Sequence, residues 1–125
     1  MMLTVTRDAS GESGFCSLEI DSIIYLEGIS EKKLVIFHTL HEKFYSMGTL
    51  KYWEVALNSS GYNFGLVHRD LSVNLKNVQL MDKTRKNIYF ESEVKKSSKM
   101  CPVASHRFNE FLSIVSILNP KIAVI

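Results

Sequence analysis

Phe64-Gly-Leu-Val-His-Arg-Asp-Leu-Ser-Val-Asn74 is the run on which the reading of this chain turns. Its first four residues form a short apolar stretch that reads as a strand. The basic pair His68-Arg69 stands at the lip of that strand, and an asparagine follows. A second pair, His106-Arg107, comes directly after Pro102-Val-Ala-Ser105. Two basic pairs, each at the end of a regular element, mark a surface suited to a polyanion.

Toward the N-terminus the pattern is that of strands. Leu3–Thr6 alternates, and Gly11 to Gly14 marks a turn. Phe15–Glu19 alternates apolar with polar positions like a half-buried strand. Ile23–Leu26 is continuously apolar, as expected of a strand covered on both faces. Leu34–Phe37 repeats that character after the polar turn Ser30–Lys33, and Lys43–Tyr45 closes a further hairpin. A helix is predicted from Thr49, a good N-cap, with Leu50, Trp53 and Leu57 on one face. Gly61, after Asn58-Ser-Ser60, suits its left-handed end.

Beyond the decisive run, Val78–Met81 and Asn87–Phe90 read as strands around a polar hairpin tip, Asp82–Lys86. Glu91–Lys99 has little to bury and reads as a loop. Ser105 is expected to cap a second helix whose inner face is Phe108, Phe111, Leu112 and Val115, and Asn119-Pro120 stops it. No repeat or linker divides the chain, so residues 1–125 read as one mainly β domain with two short helices. A helix-turn-helix, which needs adjacent helices, does not fit this order.

Composition sets the outer bounds. A chain of 125 residues with 46% hydrophobic and 22% charged residues can bury one proper core. Cys16 and Cys101 form no paired motif, which fits free thiols in a reducing cytoplasm. No basic-then-apolar leader opens the sequence, and Asn119-Pro-Lys121 interrupts the apolar tail, so no membrane association is expected. The net charge is only +2, but residues 1–67 carry −3 and residues 68–107 carry +5. Such a local basic section steers anions; a solvated lysine-rich face produces the same count.

Several constellations of catalytic type can be set aside. His68-Arg69-Asp70 with Asn74 resembles a kinase catalytic loop, but the spacing is one residue short and no Gly-rich phosphate loop or DFG accompanies it. His38 and His41 flank a hairpin turn with no carboxylate or Cys clustered beside them, so no metal is expected. Ser, His and Asp are all present, yet no nucleophile elbow supports a triad. Neither catalytic residues nor a cofactor or small-molecule substrate follow from the sequence. Asn74 reads as a structural residue bonding nearby backbone in a turn. Tyr25, Tyr45, Trp53, Phe64 and Phe90 read as core, not as a stacking platform for single strands. His106-Arg107 is the better site: capped by Ser105, the pair would fall in a first helical turn, where free N–H groups attract phosphate. Arg107 adds a donor fork that fits a phosphate or the O6/N7 edge of guanine.

Taken in order, these segments resemble the LytTR DNA-binding domain of bacterial transcription regulators. Asp21-Ser-Ile-Ile-Tyr-Leu-Glu27 is similar to the family's D-I-x-Y-x-E-type strand. Thr49-Leu50 opens the helix, Phe64–Arg69 with Val73-Asn74 is similar to F-x-R-x-H-R-S-x-x-V-N, and Pro102-Val-Ala-Ser105 is close to the P-V-S-R start of the last helix. The resemblance covers about residues 15–117.

It implies an elongated, mainly β fold of successive small antiparallel sheets with two short helices. It further implies that loops, not a recognition helix, enter successive grooves of double-stranded DNA at paired direct repeats in promoters. Two copies would then sit on the DNA together. Carried over by position, the contacts fall on Lys33, on Arg69 beside His68, and on Arg107 beside His106. Asp70 stands where serine is usual, putting a negative charge beside Arg69, and Ala104 is either a one-residue insertion before Ser105 or the mark of an alternative register. His106 stands where arginine is common, which would weaken that contact. The receiver domain usual in the family is not expected here. The expectation is a cytoplasmic DNA-binding regulator and not an enzyme. An interaction module that partners or antagonises a full-length LytTR regulator without binding DNA is the alternative.

Overall fold

The computed structural model describes all 125 residues, folded into eleven strands, two α-helices and four 3-10 turns. Seven strands make one wholly antiparallel sheet: β1 (Met2–Thr6), β2 (Phe15–Glu19), β3 (Tyr25–Ile29), β4 (Leu34–His38), β5 (Lys43–Met47), β6 (Phe64–His68) and β7 (Leu71–Asn74). Their order across the sheet is β2-β1-β5-β4-β3-β7-β6. A second sheet runs β10 (Met100–Pro102), β9 (Asn87–Tyr89), β8 (Leu80–Asp82), β11 (Ala123–Val124), with only β11 parallel to its neighbour. The helices are α1 (Leu50–Ser59) and α2 (Phe108–Leu118). Neither is long and apolar enough to cross a membrane.

Two apolar clusters follow from strand alternation, because successive side chains point to opposite faces. Val5, Leu18, Val35, Phe37 and Phe44 pack with Leu57 of α1. Val73, Met81, Ile88 and Cys101 pack with Phe108, Phe111 and Val115 of α2. β3 divides itself between them: Leu26 belongs to the first cluster and Tyr25 to the second. The double-sided burial expected of Ile23–Leu26 is therefore present, although the strand starts two residues later, after a 3-10 turn at Ile20–Ser22. Burying a side chain the size of Phe37 stabilises by roughly 2–3 kcal/mol, so both clusters matter to a domain this small.

The α1 boundaries are as the sequence predicts. The Thr49 hydroxyl accepts from the Tyr52 N–H at 3.1 Å, and Gly61, at φ +98°, completes the exit. In β6, a Cβ on Gly65 would lie 3.0 Å from Phe111 Cζ, so the glycine lets α2 press on the edge strand. Two local expectations need correction and two strands are additions. Leu71–Asn74 and Met100–Pro102, which the sequence pattern does not assign, are strands: the first does alternate apolar with polar but spans only four residues, and the second is three residues ending in proline. Asn74 does not serve a local turn: it is buried at the end of β7, and its Nδ2 donates at 3.0 Å to the Ile23 carbonyl, 51 residues away. Nor does Ser105 cap α2. Ser105–Arg107 is a 3-10 turn, the helix starts at Phe108, and no side chain caps it.

Candidate nucleic-acid interface

The strand register decides where the basic residues stand. Ile29 pairs with Leu34 across the β3–β4 turn, which carries Lys33. Glu27 of β3 pairs with Leu71 of β7, and the Gly28 N–H donates to the Asp70 carbonyl at 2.9 Å. The β6–β7 turn, with Arg69 and Asp70 at its tip, therefore lies at the same end of the sheet as the β3–β4 turn. With the order β4-β3-β7-β6, the two tips are about two strand spacings apart, roughly 10 Å.

The third basic segment reaches the same end by crossing to the edge strand. The Ala104 N–H donates to the Val67 carbonyl at 3.0 Å, and Arg107 Nη1 donates to the Leu66 carbonyl at 3.1 Å. Lys33, His68-Arg69 and His106-Arg107 are thus brought together around one end of the long sheet. His38 and His41 belong elsewhere: His38 is interior and His41 is exposed in the β4–β5 turn.

Each member is held differently. Lys33 is exposed and sits in the left-handed region at φ 48°, a conformation uncommon for a side chain with a Cβ. Its carbonyl accepts from the Gly48 N–H at 2.9 Å, and its own N–H donates to the Ser30 carbonyl at 3.2 Å, which fixes the turn. His68 closes β6 after an irregularity in pairing between Leu66 and His68, a bulge that leaves Val67 buried and His68 exposed. The Arg69 side chain is 91% exposed, and its one ionic neighbour is Asp70, 3.9 Å from Nε. At that distance in water the pair is worth at most about 1 kcal/mol.

His106 is exposed, whereas Arg107 is half-buried. The N–H groups of Arg107 and Phe108 already donate to the Ala104 and Ser105 carbonyls within the 3-10 turn. Those two amides are unavailable to a phosphate, so the helix terminus itself is a weaker anion site than the sequence suggests. What the turn offers instead is the Arg107 guanidinium, anchored through one nitrogen to β6 with its other donors unbonded within the protein. The β8–β9 tip, which carries Lys83, Arg85 and Lys86 and which the sequence pattern presents as no more than a polar hairpin, joins this segment through the Lys86 carbonyl, which accepts from the Val103 N–H at 2.8 Å.

Another charged group lies inside. His38 of β4, 3% exposed, stacks on Tyr25 with ring centroids 4.2 Å apart. Lys99 Nζ lies 3.3 Å from His38 Nδ1 and donates to the Glu42 carbonyl at 2.8 Å. An ammonium can only donate, so Nδ1 accepts, and the proton sits on Nε2, which faces Glu27 Oε1 at 2.9 Å. Burial lowers the His38 pKa to about 4, in spite of the bond to Glu27 that opposes the shift. Burial likewise lowers that of Lys99 and raises those of Tyr25 and Cys101. This group ties β4 to the segment leading into β10, and so joins the two sheets. It offers no open ligand position.

The model of the LytTr DNA-binding domain matches residues 13–116. The chain belongs to the LytTR DNA-binding domain family. Its fold is also that of a solved structure, the LytTr DNA-binding domain of a protein described as a putative methyl-accepting/DNA response regulator from Bacillus cereus. That match has a TM-score of 0.62 and 16% identity over 94% of each chain. No curated protein matches the sequence. The mainly β architecture with two short helices is therefore that of the family, and the chain is a regulator-type DNA-binding domain.

Proposed function

We propose that this LytTR domain regulates transcription by binding double-stranded promoter DNA with sequence specificity, two copies occupying adjacent direct repeats. Lys33, His68, Arg69, His106 and Arg107 make the contacts, and their turns enter successive grooves on one side of the duplex. The observation carrying this reading is the common end shared by the β3–β4 turn, the β6–β7 turn and the 3-10 turn before α2. Lys33 and the histidines bind phosphate, which releases counterions and gives affinity without sequence preference. Arg69 and Arg107 present guanidinium forks to base edges, where bidentate contact with guanine discriminates. The process is binding, with no chemical step, in the bacterial cytoplasm. Copies on direct repeats would be spaced by about one helical turn, roughly 10 base pairs.

Selection of random duplexes on the purified protein at two salt concentrations tests this reading. Recovery of a repeated motif whose binding falls steeply with salt is the expected result. Arg107→Ala should cost about 1–3 kcal/mol and relax preference at one position, while Lys33→Ala weakens all sequences evenly. If both variants bind the selected duplex as well as the parent does, these contacts are misassigned. The Asp70 carboxylate beside Arg69 favours a second reading, in which the chain forms mixed complexes with a full-length regulator and leaves DNA alone. Co-purification with such a regulator, without salt-dependent duplex binding, would select it.

A further inference from the structure

We propose that the β8–β9 hairpin is a further DNA-contacting element, with Arg85 and Lys86 binding backbone phosphates flanking the groove that the His68-Arg69 and His106-Arg107 turns enter. The proposal rests on the DNA-binding reading above and extends its footprint to the second sheet.

Three observations carry it. The first is position. The Lys86 carbonyl accepts from the Val103 N–H at 2.8 Å, the next residue's N–H donates to the Val67 carbonyl at 3.0 Å, and the Ala104 carbonyl accepts from the Arg107 N–H at 2.8 Å. The hairpin tip, the Arg107 turn and the end of β6 are thereby one hydrogen-bonded ledge. Lys86 and Val67 stand about two backbone pairings apart across it, roughly 10–13 Å, close to the width of a major groove.

The second observation is order. Lys86 is held at φ 58°, and its ammonium sits 4.7 Å over the Phe108 ring, so the cation is placed before any ligand arrives. The left-handed conformation has a specific cause here: it closes the tip after Asp82, whose carboxylate accepts from the Thr84 and Arg85 N–H groups at 3.0 and 3.1 Å.

The third is unpaired charge. Asp82 is engaged by backbone N–H groups, and neither Arg85 nor Lys86 forms an ion pair, with Asp82 or with Glu110 of α2. Arg85 is exposed. Two oriented or exposed cations without counter-charge, on a ledge that continues past the Arg107 turn away from β6, suit the charged rail of a duplex that borders the groove.

Fluorescence anisotropy of the full chain, with a selected duplex and an unrelated duplex of equal length across a salt series, tests the proposal. Two neutral variants serve: Arg85→Gln, and Lys86→Asn, asparagine being tolerated at positive φ. Each is expected to weaken binding to both duplexes alike, roughly three- to tenfold, and to lower the slope of log K against log salt by about one, with base preference unchanged. Parental slopes in both variants, in a protein whose Arg69→Ala form is impaired, would overturn the hairpin assignment alone. A change of base preference instead of salt slope would also overturn it. If the parent binds neither duplex in a salt-dependent way, the DNA-binding reading fails and the hairpin proposal falls with it. Because the Arg85 side chain is exposed and makes no hydrogen bond or ion pair, its variant keeps the test decisive even if Lys86→Asn loosens the turn.

Discussion

Arg69 and Arg107 stand at the same end of the molecule and are held in opposite ways. Arg69, at the free tip of the β6–β7 turn, is 91% exposed with one weak ionic neighbour. Arg107 is half-buried on the second half of the molecule and bonded to the Leu66 carbonyl of the first. An exposed arginine loses rotamer freedom when it binds, on the order of 1–2 kcal/mol, whereas an anchored one has lost part of it on folding. Two residues of one type therefore contribute differently: Arg107 as a preorganised fork, Arg69 as an adaptable one. The difference depends on the second sheet and α2 being seated against β6.

The largest effect should come from removing that seat. Phe108 is 1% exposed in the cluster that packs α2 on the second sheet, and it also carries the Lys86 ammonium. Phe108→Ala should cost about 3–5 kcal/mol of stability, measured by denaturant unfolding. In the protein that remains folded at low temperature, Arg107→Ala should lose much of its effect on DNA binding, while Arg69→Ala keeps its own. Equal retention of both effects would break the contrast between the two arginines.

Acid should loosen the same junction by another route. His38 has an ordinary pKa of 6.5, lowered to about 4 in the folded protein, chiefly by burial. Above pH 6.5 the imidazole is neutral in both states and titration adds nothing. As pH falls from 6.5 toward 4 the unfolded chain takes up a proton that the folded chain resists, so stability drops. The loss is on the order of 2–3 kcal/mol, because a tenfold difference in proton affinity between the two states is worth about 1.4 kcal/mol. A protonated Nδ1 would also face the Lys99 ammonium, and Lys43 adds to the repulsion. Denaturant titrations from pH 7 to 4.5 should show the decline, and His38→Asn should flatten this part of it.

What the sequence made legible, and what it did not, follows the same division between local and distant causes. Thr49 capping α1, Gly61 at its exit and the alternation of Phe15–Glu19 are local, and each is where the residues indicate. β7 forms a local hairpin with β6 but takes its second partner, β3, from far back in the chain, and β10 pairs with β9 across the polar segment Glu91–Lys99. Leu71-Ser-Val-Asn74 is held as an interior strand between β6 and β3, and its buried Ser72 is tolerable because the hydroxyl donates to Glu54 Oε2 at 2.5 Å. The start of α2 departs from expectation for a similar reason. Ser105 has the composition of a cap, but Ala104 is already bonded to Val67, which fixes the chain's approach and yields a 3-10 turn. The basic residues themselves are visible in the sequence. Their meeting at one end of the sheet is a matter of register, which no single segment records.

Conservative substitutions sharpen the contrast between the two arginines. Lysine has no fork, so at position 107 it cannot both hold the Leu66 carbonyl and present two parallel donors outward. Arg107→Lys should therefore lose nearly as much binding as Arg107→Ala, about 1–3 kcal/mol, with relaxed base preference. Arg69 has no structural bond to keep. If its role includes phosphate attraction, Arg69→Lys should retain part of the affinity and most of the salt slope, costing about 1 kcal/mol or less. Competition assays with single-base variants of the selected duplex separate the two outcomes.

The smallest expected effect concerns Asp70, and its sign is the informative part. Its carboxylate is half-exposed and 3.9 Å from Arg69 Nε, so the pair adds at most about 1 kcal/mol to stability. Asp70→Asn should leave the melting temperature within experimental error, because the Gly28 N–H bonds the Asp70 carbonyl and not its side chain. Near a duplex the same carboxylate repels phosphates and competes for Arg69. Its neutralisation should tighten binding to unrelated duplexes by roughly two- to fivefold, with a smaller gain on the selected one, so that specificity falls. Weaker binding of Asp70→Asn to the selected duplex alone would mean that the carboxylate accepts a hydrogen bond from a base amino group. Arg69 and Asp70 would then read the groove as a pair, and the free arginine would be less adaptable than its exposure implies.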